Sequence, residues 1–88
     1  MQVLINKKFL QDLAILPVKE RHRVEKFLFE EVPTFRRISE IPNIIKLKGY
    51  KNYYRIRFGA YRAGLKFDGN ILTFERLVHR KDIYKYYP

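Results

Sequence analysis

The stretch that decides the fold is Tyr53-Tyr54-Arg55-Ile56-Arg57-Phe58-Gly59-Ala60-Tyr61-Arg62-Ala63-Gly64-Leu65-Lys66-Phe67. Apolar residues alternate with basic ones on both sides of Gly59-Ala60, and a period of two is typical of half-buried antiparallel strands. A two-residue loop that begins with glycine suits a type II′ hairpin turn. We therefore predict a β-hairpin with one apolar face and one face that carries arginines.

The predicted register pairs Phe58 with Tyr61 on the apolar face. On the other face it pairs Arg57 with Arg62 and places Arg55 beside them. Like charges that face each other across neighbouring strands repel and lower stability. Arginine holds phosphate through two parallel hydrogen bonds and stays charged at any working pH. We therefore interpret this face as an anion site formed by Arg55, Arg57, Arg62 and Arg80, with an ordinary solvated strand face as the alternative.

The charge of the chain is unevenly distributed. Nineteen Lys and Arg against nine Asp and Glu give a net charge of +10, of which residues 1–44 carry +2 and residues 45–88 carry +8. The excess lies in the half that contains the hairpin, which favours a polyanionic partner there. Tyrosines lie among these cations, and tyrosine rings can stack on the bases of single-stranded RNA.

Several function classes lack their signals in this sequence. It has no cysteine, no glycine-rich phosphate loop and two histidines, so we expect neither a metal site nor a cofactor. We interpret His22 as a solvated helix residue, whereas His79 stays open between a structural role and a proton carrier. No apolar run approaches the length of a membrane span and no signal peptide is evident. We predict one soluble domain over residues 1–88, without membrane contact, in a reducing cytoplasm.

Before the hairpin, the pattern predicts a short strand over residues 2–5 and then two helices. Asn6 is a suitable helix N-cap, and Pro17 separates the first helix from a second that ends at Pro33. Both helices have one apolar face, with these positions at helical spacing: Phe9, Leu10, Leu13, Leu16, Val24, Phe27, Leu28 and Val32. An irregular segment over residues 34–43 follows, with room for one helical turn.

Two further strands are predicted around the hairpin. In the first, residues 43–48, Ile45 and Leu47 alternate with lysines; the second runs from 71 to about 79 after an Asp-Gly-Asn turn. A two-residue loop at 68–69 or at 69–70 is possible for that turn, and both registers place Leu77 and His79 on the arginine face. We expect four of these strands to pair, so the fold class is α+β, a two-helix hairpin packed on a four-stranded, mainly antiparallel twisted sheet in the order β-α-α-β-β-β.

Four segments together resemble the RelE/ParE superfamily of bacterial toxins, on the RelE side. They are Leu47-Lys48-Gly49, Tyr54-Arg55-Ile56-Arg57, Gly59-Ala60-Tyr61-Arg62 and His79-Arg80-Lys81-Asp82-Ile83-Tyr84. The resemblance implies a metal-independent, ribosome-dependent endoribonuclease that cleaves mRNA by attack of the RNA's own 2′-hydroxyl. It also implies a cognate antitoxin as partner, with operator DNA bound only through the antitoxin complex.

The resemblance also assigns roles to residues. Arg62 matches a phosphate-holding arginine, Arg80 an arginine that stabilises the transition state, and Tyr84 a catalytic or base-stacking tyrosine. The residues expected to contact RNA are Lys48, Arg55, Arg57, His79, Lys81 and Tyr87. Tyr87 is included because Tyr84 follows its arginine sooner than in some relatives, so that Tyr87 could replace it.

One departure from the family limits the mechanism. Relatives carry lysines where this chain has Arg55 and Arg57, and a guanidinium does not release a proton. We therefore expect these two residues to stabilise charge only. The general base stays open between His79, Glu75 and a tyrosine, or the reaction relies on positioning of the 2′-hydroxyl. Two other functions remain as alternatives, a ParE-like gyrase-inhibiting toxin and a non-catalytic RNA-binding module.

Overall fold

The sheet is mixed, because the strand at one edge pairs in parallel with its neighbour and the other strands pair antiparallel. The structure, a computed structural model, describes residues 1–87, in which the strands and α-helices are β1 Gln2–Ile5, α1 Lys7–Ala14, α2 Val18–Lys26, β2 Ile44–Lys46, β3 Tyr53–Phe58, β4 Tyr61–Phe67, β5 Ile71–His79 and α3 Ile83–Tyr86. The strand order is β1-β5-β4-β3-β2, with β1 parallel to β5 and the other neighbours antiparallel. The predicted α+β class is confirmed, with five strands rather than four.

The helices begin and end near the predicted residues. The side chain of Asn6 accepts a hydrogen bond of 2.9 Å from the backbone N–H of Phe9, which caps α1. Pro17 precedes α2, which continues through a π-helical turn, Phe27–Glu31, and a 3₁₀ turn, Val32–Thr34. No helix within residues 1–87 has the length and apolar character needed to cross a bilayer.

The core lies between the two helices and one face of the sheet. Two edge-to-face aromatic pairs join the layers: Phe9 with Phe74 at 5.4 Å between ring centres, and Phe27 with Phe58 at 5.2 Å. Leu10, predicted on the apolar face of the first helix, is exposed instead. The buried members of the core are Phe9, Leu13, Leu16, Val24, Phe27, Leu28, Val32, Ile41, Ile56, Phe58, Ala63, Leu65, Leu72, Phe74 and Leu77.

The central hairpin has the predicted register. Arg57 lies opposite Arg62, and Phe58 lies opposite Tyr61. Gly59 has a φ of +59°, which a residue with a Cβ rarely adopts, and Ala60 has a negative φ. This is the combination that a type II′ turn requires.

The predicted parity of β5 is wrong beyond Phe74. Phe74 pairs with Leu65, but Arg76 pairs with Gly64, so Glu75 is an extra residue in a β-bulge. One extra residue reverses the alternation of side chains. Leu77 is therefore in the core, 1 % exposed, and not on the arginine face. His79 is reversed in the same way and pairs with Tyr61, as detailed below.

The predicted strand over residues 43–48 is shorter and has a different orientation. Ile44 pairs with the buried Ile56 and contacts the core, whereas Ile45 pairs with Arg55. Ile45 thus lies on the arginine face and is 51 % exposed. As an edge strand, β2 leaves this apolar side chain available at the rim of the basic surface.

A carboxylate replaces a missing strand beside β5. The pairing of β1 with β5 ends where Ile5 meets Phe74, so the next residues of β5 have no strand on that side. Asp12 of α1 accepts hydrogen bonds from the backbone N–H of Leu77 at 2.9 Å and from Nε of Arg76 at 2.8 Å. This contact fixes α1 to the strand that leads to Arg80.

Candidate functional site

Register and turn geometry bring the predicted arginines together. Arg57 pairs with Arg62, and Arg55 pairs with Gly64, so three guanidinium groups leave the sheet on one face. The backbone N–H of Arg80 donates to the carbonyl oxygen of Ala60 at 2.7 Å, which sets Arg80 beside the hairpin turn. We call Arg55, Arg57, Arg62 and Arg80 the arginine cluster.

Arg62 is the electrostatic centre of the arginine cluster. Partial burial lowers the pKa of Arg62, and the positive charges of Arg57, Arg55 and Arg80 lower it further. Its Nη1 donates to the carbonyl oxygens of Gly59 at 2.6 Å and of Tyr61 at 3.0 Å, which orients the guanidinium. A bound anion would offset the mutual repulsion of these cations, so the cluster favours a phosphate at Arg62.

Tyr84 completes the cluster from the C-terminal helix. Its ring is 68 % exposed, and its hydroxyl accepts a hydrogen bond of 2.5 Å from Nη1 of Arg55. Because that bond uses a lone pair of the oxygen, the hydroxyl proton of Tyr84 remains free to be donated. Tyr84 also borders an open cleft of about 400 Å³, whose lining residues are Ile45, Lys46, Leu47, Lys48, Tyr50, Arg55 and Tyr84. Lys48 therefore lines the same cleft as Arg55 and Tyr84, and its contact with RNA stays a prediction.

Tyr87 does not have the exposed position that an RNA contact needs. It is 4 % exposed, and its ring lies directly on Gly64. Its hydroxyl donates to the carbonyl oxygen of Leu65, and its ring meets that of Tyr53 edge to face at 5.6 Å. Burial, with the nearby Glu75 and Tyr53, raises the pKa of Tyr87. Direct contact of Tyr87 with RNA is therefore contradicted by its burial, and Tyr87 supports α3 instead.

His79 and Lys81 lie apart from the cluster. The ring of His79 packs edge to face on Tyr61 at 5.4 Å, and its Nδ1 accepts from the backbone N–H of Lys81 at 3.2 Å. Since Tyr61 packs against the core, His79 belongs to the helix side of the sheet, so its predicted place with the arginines was wrong. Lys81 is exposed, and its contact with RNA stays a prediction.

Two features of the site were missed by reasoning from the sequence. One is the ion pair of Asp12 with Arg76, for which the signal is that Asp12 is the only acidic residue before Glu20. The other is the place of Gly64 beneath Tyr87, for which the sequence gives no signal. Within residues 1–87, no three His, Asp or Glu side chains gather as ligands of a metal ion would.

Fold and site together define a class of protein. It is a small basic α+β protein with a helical hairpin on one sheet face and an arginine cluster with a tyrosine on the other. No protein-family model matches the chain. Individual relatives do match it over its length.

The chain is 43 % identical to Toxin RelE3 of Methanocaldococcus jannaschii over 89 aligned positions that cover all of both chains. It superposes with a TM-score of 0.80 and 40 % identity on a chain of the RelB-RelE antitoxin-toxin complex from Methanococcus jannaschii, covering 97 % of this chain and 99 % of that one. A chain of the archaeal RelE-RelB complex from Pyrococcus horikoshii gives a TM-score of 0.60 and 27 % identity, over 90 % and 93 % of the two chains. The chain therefore belongs to the RelE family of toxins.

Proposed function

We propose that this toxin of a type II toxin–antitoxin system is a ribosome-dependent endoribonuclease that cleaves mRNA. The observation that carries the proposal is the arginine cluster, in which Arg62 faces the charges of Arg55, Arg57 and Arg80. Tyr84 is hydrogen bonded to one of these arginines. Cations that converge on one point, beside a hydroxyl with a free proton, suit a phosphodiester that is about to be cleaved.

The reaction is an intramolecular transesterification at phosphorus. The 2′-oxygen of one nucleotide attacks the adjacent phosphorus, the bond from phosphorus to the 5′-oxygen breaks, and a 2′,3′-cyclic phosphate and a 5′-hydroxyl result. Arg62 holds the non-bridging oxygens, and Arg80 stabilises the extra negative charge of the transition state. Tyr84 supplies the proton that the 5′-oxygen takes up as it leaves.

The positions of the candidate bases limit which group can accept the proton of the 2′-hydroxyl. His79 packs on Tyr61 on the other face of the sheet, and Glu75 faces the buried Tyr87. Arg55 cannot act as a base, because a guanidinium stays protonated. We propose that cleavage relies mainly on positioning the 2′-oxygen in line with the leaving oxygen and on charge stabilisation, with water accepting the proton.

The partners follow from the same proposal. Two relatives were solved in complexes with RelB, so we propose a cognate antitoxin that covers the basic face of this chain. Exposed apolar side chains offer it further contacts, and those on the helices and edge strands are Leu4, Leu10, Ile15, Val18, Phe29 and Ile45. Operator DNA would be bound through the antitoxin complex. The substrate is mRNA on the ribosome, which places the activity in the cytoplasm.

Primer extension on cellular transcripts after induced expression tests the proposal. Discrete cleavages within translated transcripts, with a 5′-hydroxyl on the downstream fragment, are expected. Induction of the SOS response with intact RNA would instead support gyrase inhibition. Intact RNA without SOS induction would leave a non-catalytic binding module.

A further inference from the structure

One member of the arginine cluster, Arg57, also lines a cleft beside α2, where it meets a further cation. Arg23, near the end of α2, and Arg57 of β3 border an open space of about 430 Å³ together with Asn43 and Gly59. The sequence did not point to Arg23, because this residue lies in the half of the chain with little net charge. Its position in the last turn of α2 suits the helix dipole. The dipole does not explain why the side chain reaches the hairpin turn.

Gly59 connects this cleft to the arginine cluster. Nη1 of Arg23 lies 3.5 Å from the point where a Cβ would stand on Gly59. Nη1 of Arg62 donates to the carbonyl oxygen of the same residue at 2.6 Å. Standard bond lengths within one residue then put the two nitrogens within about 10 Å of each other. One strand of RNA that passes over the turn can therefore meet both guanidinium groups.

The cleft also has an unbalanced charge. The ion pairs formed within residues 1–87 join Asp12 to Arg76 and Asp82 to Lys85, so neither cation of the cleft takes part in them. Glu31 lines the adjoining part of the groove, which Arg23 and Arg57 also border, but it forms no ion pair with either of them. Two guanidinium groups that share a cleft without a paired carboxylate favour an anion between them. The amide of Asn43 adds a neutral donor to the lining.

We propose that Arg23, Arg57 and Asn43 form a second phosphate site, which holds an RNA backbone phosphate close along the strand to the one at Arg62. The inference rests on the proposed function and deepens it. The scissile phosphate lies on the sheet face, the strand crosses Gly59, and a flanking phosphate occupies the cleft beside α2. Arg23 and Asn43 contribute to binding and register and take no part in bond breaking, whereas Arg57 belongs to both sites.

The variant Arg23→Gln tests the proposal, with Lys26→Gln as its control. Lys26 is exposed in the same helical turn, carries the same charge and does not line the cleft. Equilibrium binding is measured between 50 and 200 mM salt, with a short single-stranded RNA and with mRNA-programmed ribosomes as probes. Loss of one phosphate contact lowers the slope of log affinity against log salt by about one and weakens binding roughly fivefold at low salt. Arg23→Lys should recover most of this affinity.

The two probes separate the sources of the phosphate. Weaker binding of Arg23→Gln to both probes supports a site for the mRNA strand. Weaker binding to the ribosome alone would assign the cleft to ribosomal RNA and overturn the proposal that both phosphates belong to one strand. Equal salt slopes for Arg23→Gln and Lys26→Gln would overturn it. So would loss of affinity for the antitoxin with unchanged RNA binding, which would assign the cleft to a protein partner. Because these are binding measurements, a wild-type protein that binds RNA without cleaving it would refute the proposed nuclease activity but not the second phosphate site.

Discussion

The ring of Tyr87 occupies the space above Gly64 that any larger side chain would need: a Cβ on Gly64 would lie 2.4 Å from ring atoms of Tyr87. Gly64 is paired with Arg55, the partner of Tyr84, so this contact lies directly beside the arginine cluster. The helix α3 is a single turn, and a helix this short is not stable on its own in water. Its position depends on two buried side chains, Ile83 within the helix and Tyr87 directly after it.

Gly64→Ala should therefore reduce cleavage by displacing α3. Alanine is compatible with the backbone of Gly64, which has no positive φ, so the expected cost comes from the collision with Tyr87. We expect a stability loss of about 1–3 kcal/mol in urea denaturation, as for overpacked sites, and a larger fall in kcat than in ribosome affinity. In a Tyr87→Ala background the same substitution should cost almost nothing. Equal costs in both backgrounds would show that the contact is not the cause.

Tyr84→Phe separates the hydroxyl from the ring. The hydroxyl accepts a hydrogen bond from Arg55 and has its own proton to donate. Loss of an acid should slow cleavage by roughly 10²-fold or more, while ribosome binding changes little. Single-turnover cleavage and equilibrium binding are the measurements, and Tyr86→Phe, a neighbouring exposed tyrosine, is the control. An equal fall in binding and cleavage would show that Tyr84 only stacks on a base and does not act as an acid.

Asp12→Ala should destabilise the fold more than other losses of a carboxylate. Its side chain is 13 % exposed, that of Arg76 is 20 % exposed, and the backbone N–H of Leu77 depends on the same carboxylate. Removal leaves a buried donor and a partly buried cation unpaired, which costs about 2–4 kcal/mol. Asp82→Ala breaks an exposed pair with Lys85 and should cost less than about 1 kcal/mol by the same denaturation assay. Similar losses for the two variants would contradict the role of Asp12.

Asp68 should make the stability sensitive to acid. Backbone N–H groups of Ile71 and Asn70 donate to its carboxylate and hold the pKa of Asp68 below its usual range. A group with a lowered folded pKa stabilises the fold above its unfolded pKa, and this contribution is lost as the pH falls through the folded pKa. The stability advantage of the wild type over Asp68→Asn should shrink between pH 7 and pH 3. A constant difference over that range would count against the hydrogen bonds as the cause.

Much of the fold follows from short-range patterns in the sequence. Alternation on both sides of Gly59 predicts the hairpin and its register, because a two-residue turn leaves one pairing. That register alone brings Arg57 and Arg62 together, so the centre of the site was predictable before any coordinates. Arg80 was grouped with them from the sequence, and the resemblance to relatives gave it a role, but its distance along the chain gives no local signal for its contact with the hairpin turn.

The errors came from interactions that are not local. The bulge at Glu75 depends on how β5 meets Gly64, although the spacing of three between Phe74 and Leu77 hints at it. The burial of Tyr87 depends on the absence of a side chain at Gly64 of β4, a strand that β5 separates from α3 along the chain. No periodicity within either segment records that contact, because it joins residues that are distant in sequence.

The central claim is that the arginine cluster cleaves RNA, and the most direct measurement analyses the product ends after digestion of ribosome-bound mRNA. The wild type should leave a 2′,3′-cyclic phosphate on the upstream fragment. Arg62→Gln and Arg80→Gln should each slow the appearance of this end by roughly 10²–10³-fold. Their unfolding midpoints should stay close to the wild type, since Arg62 already faces the like charge of Arg57. Cleavage at the wild-type rate by a folded Arg62→Gln protein would contradict the account.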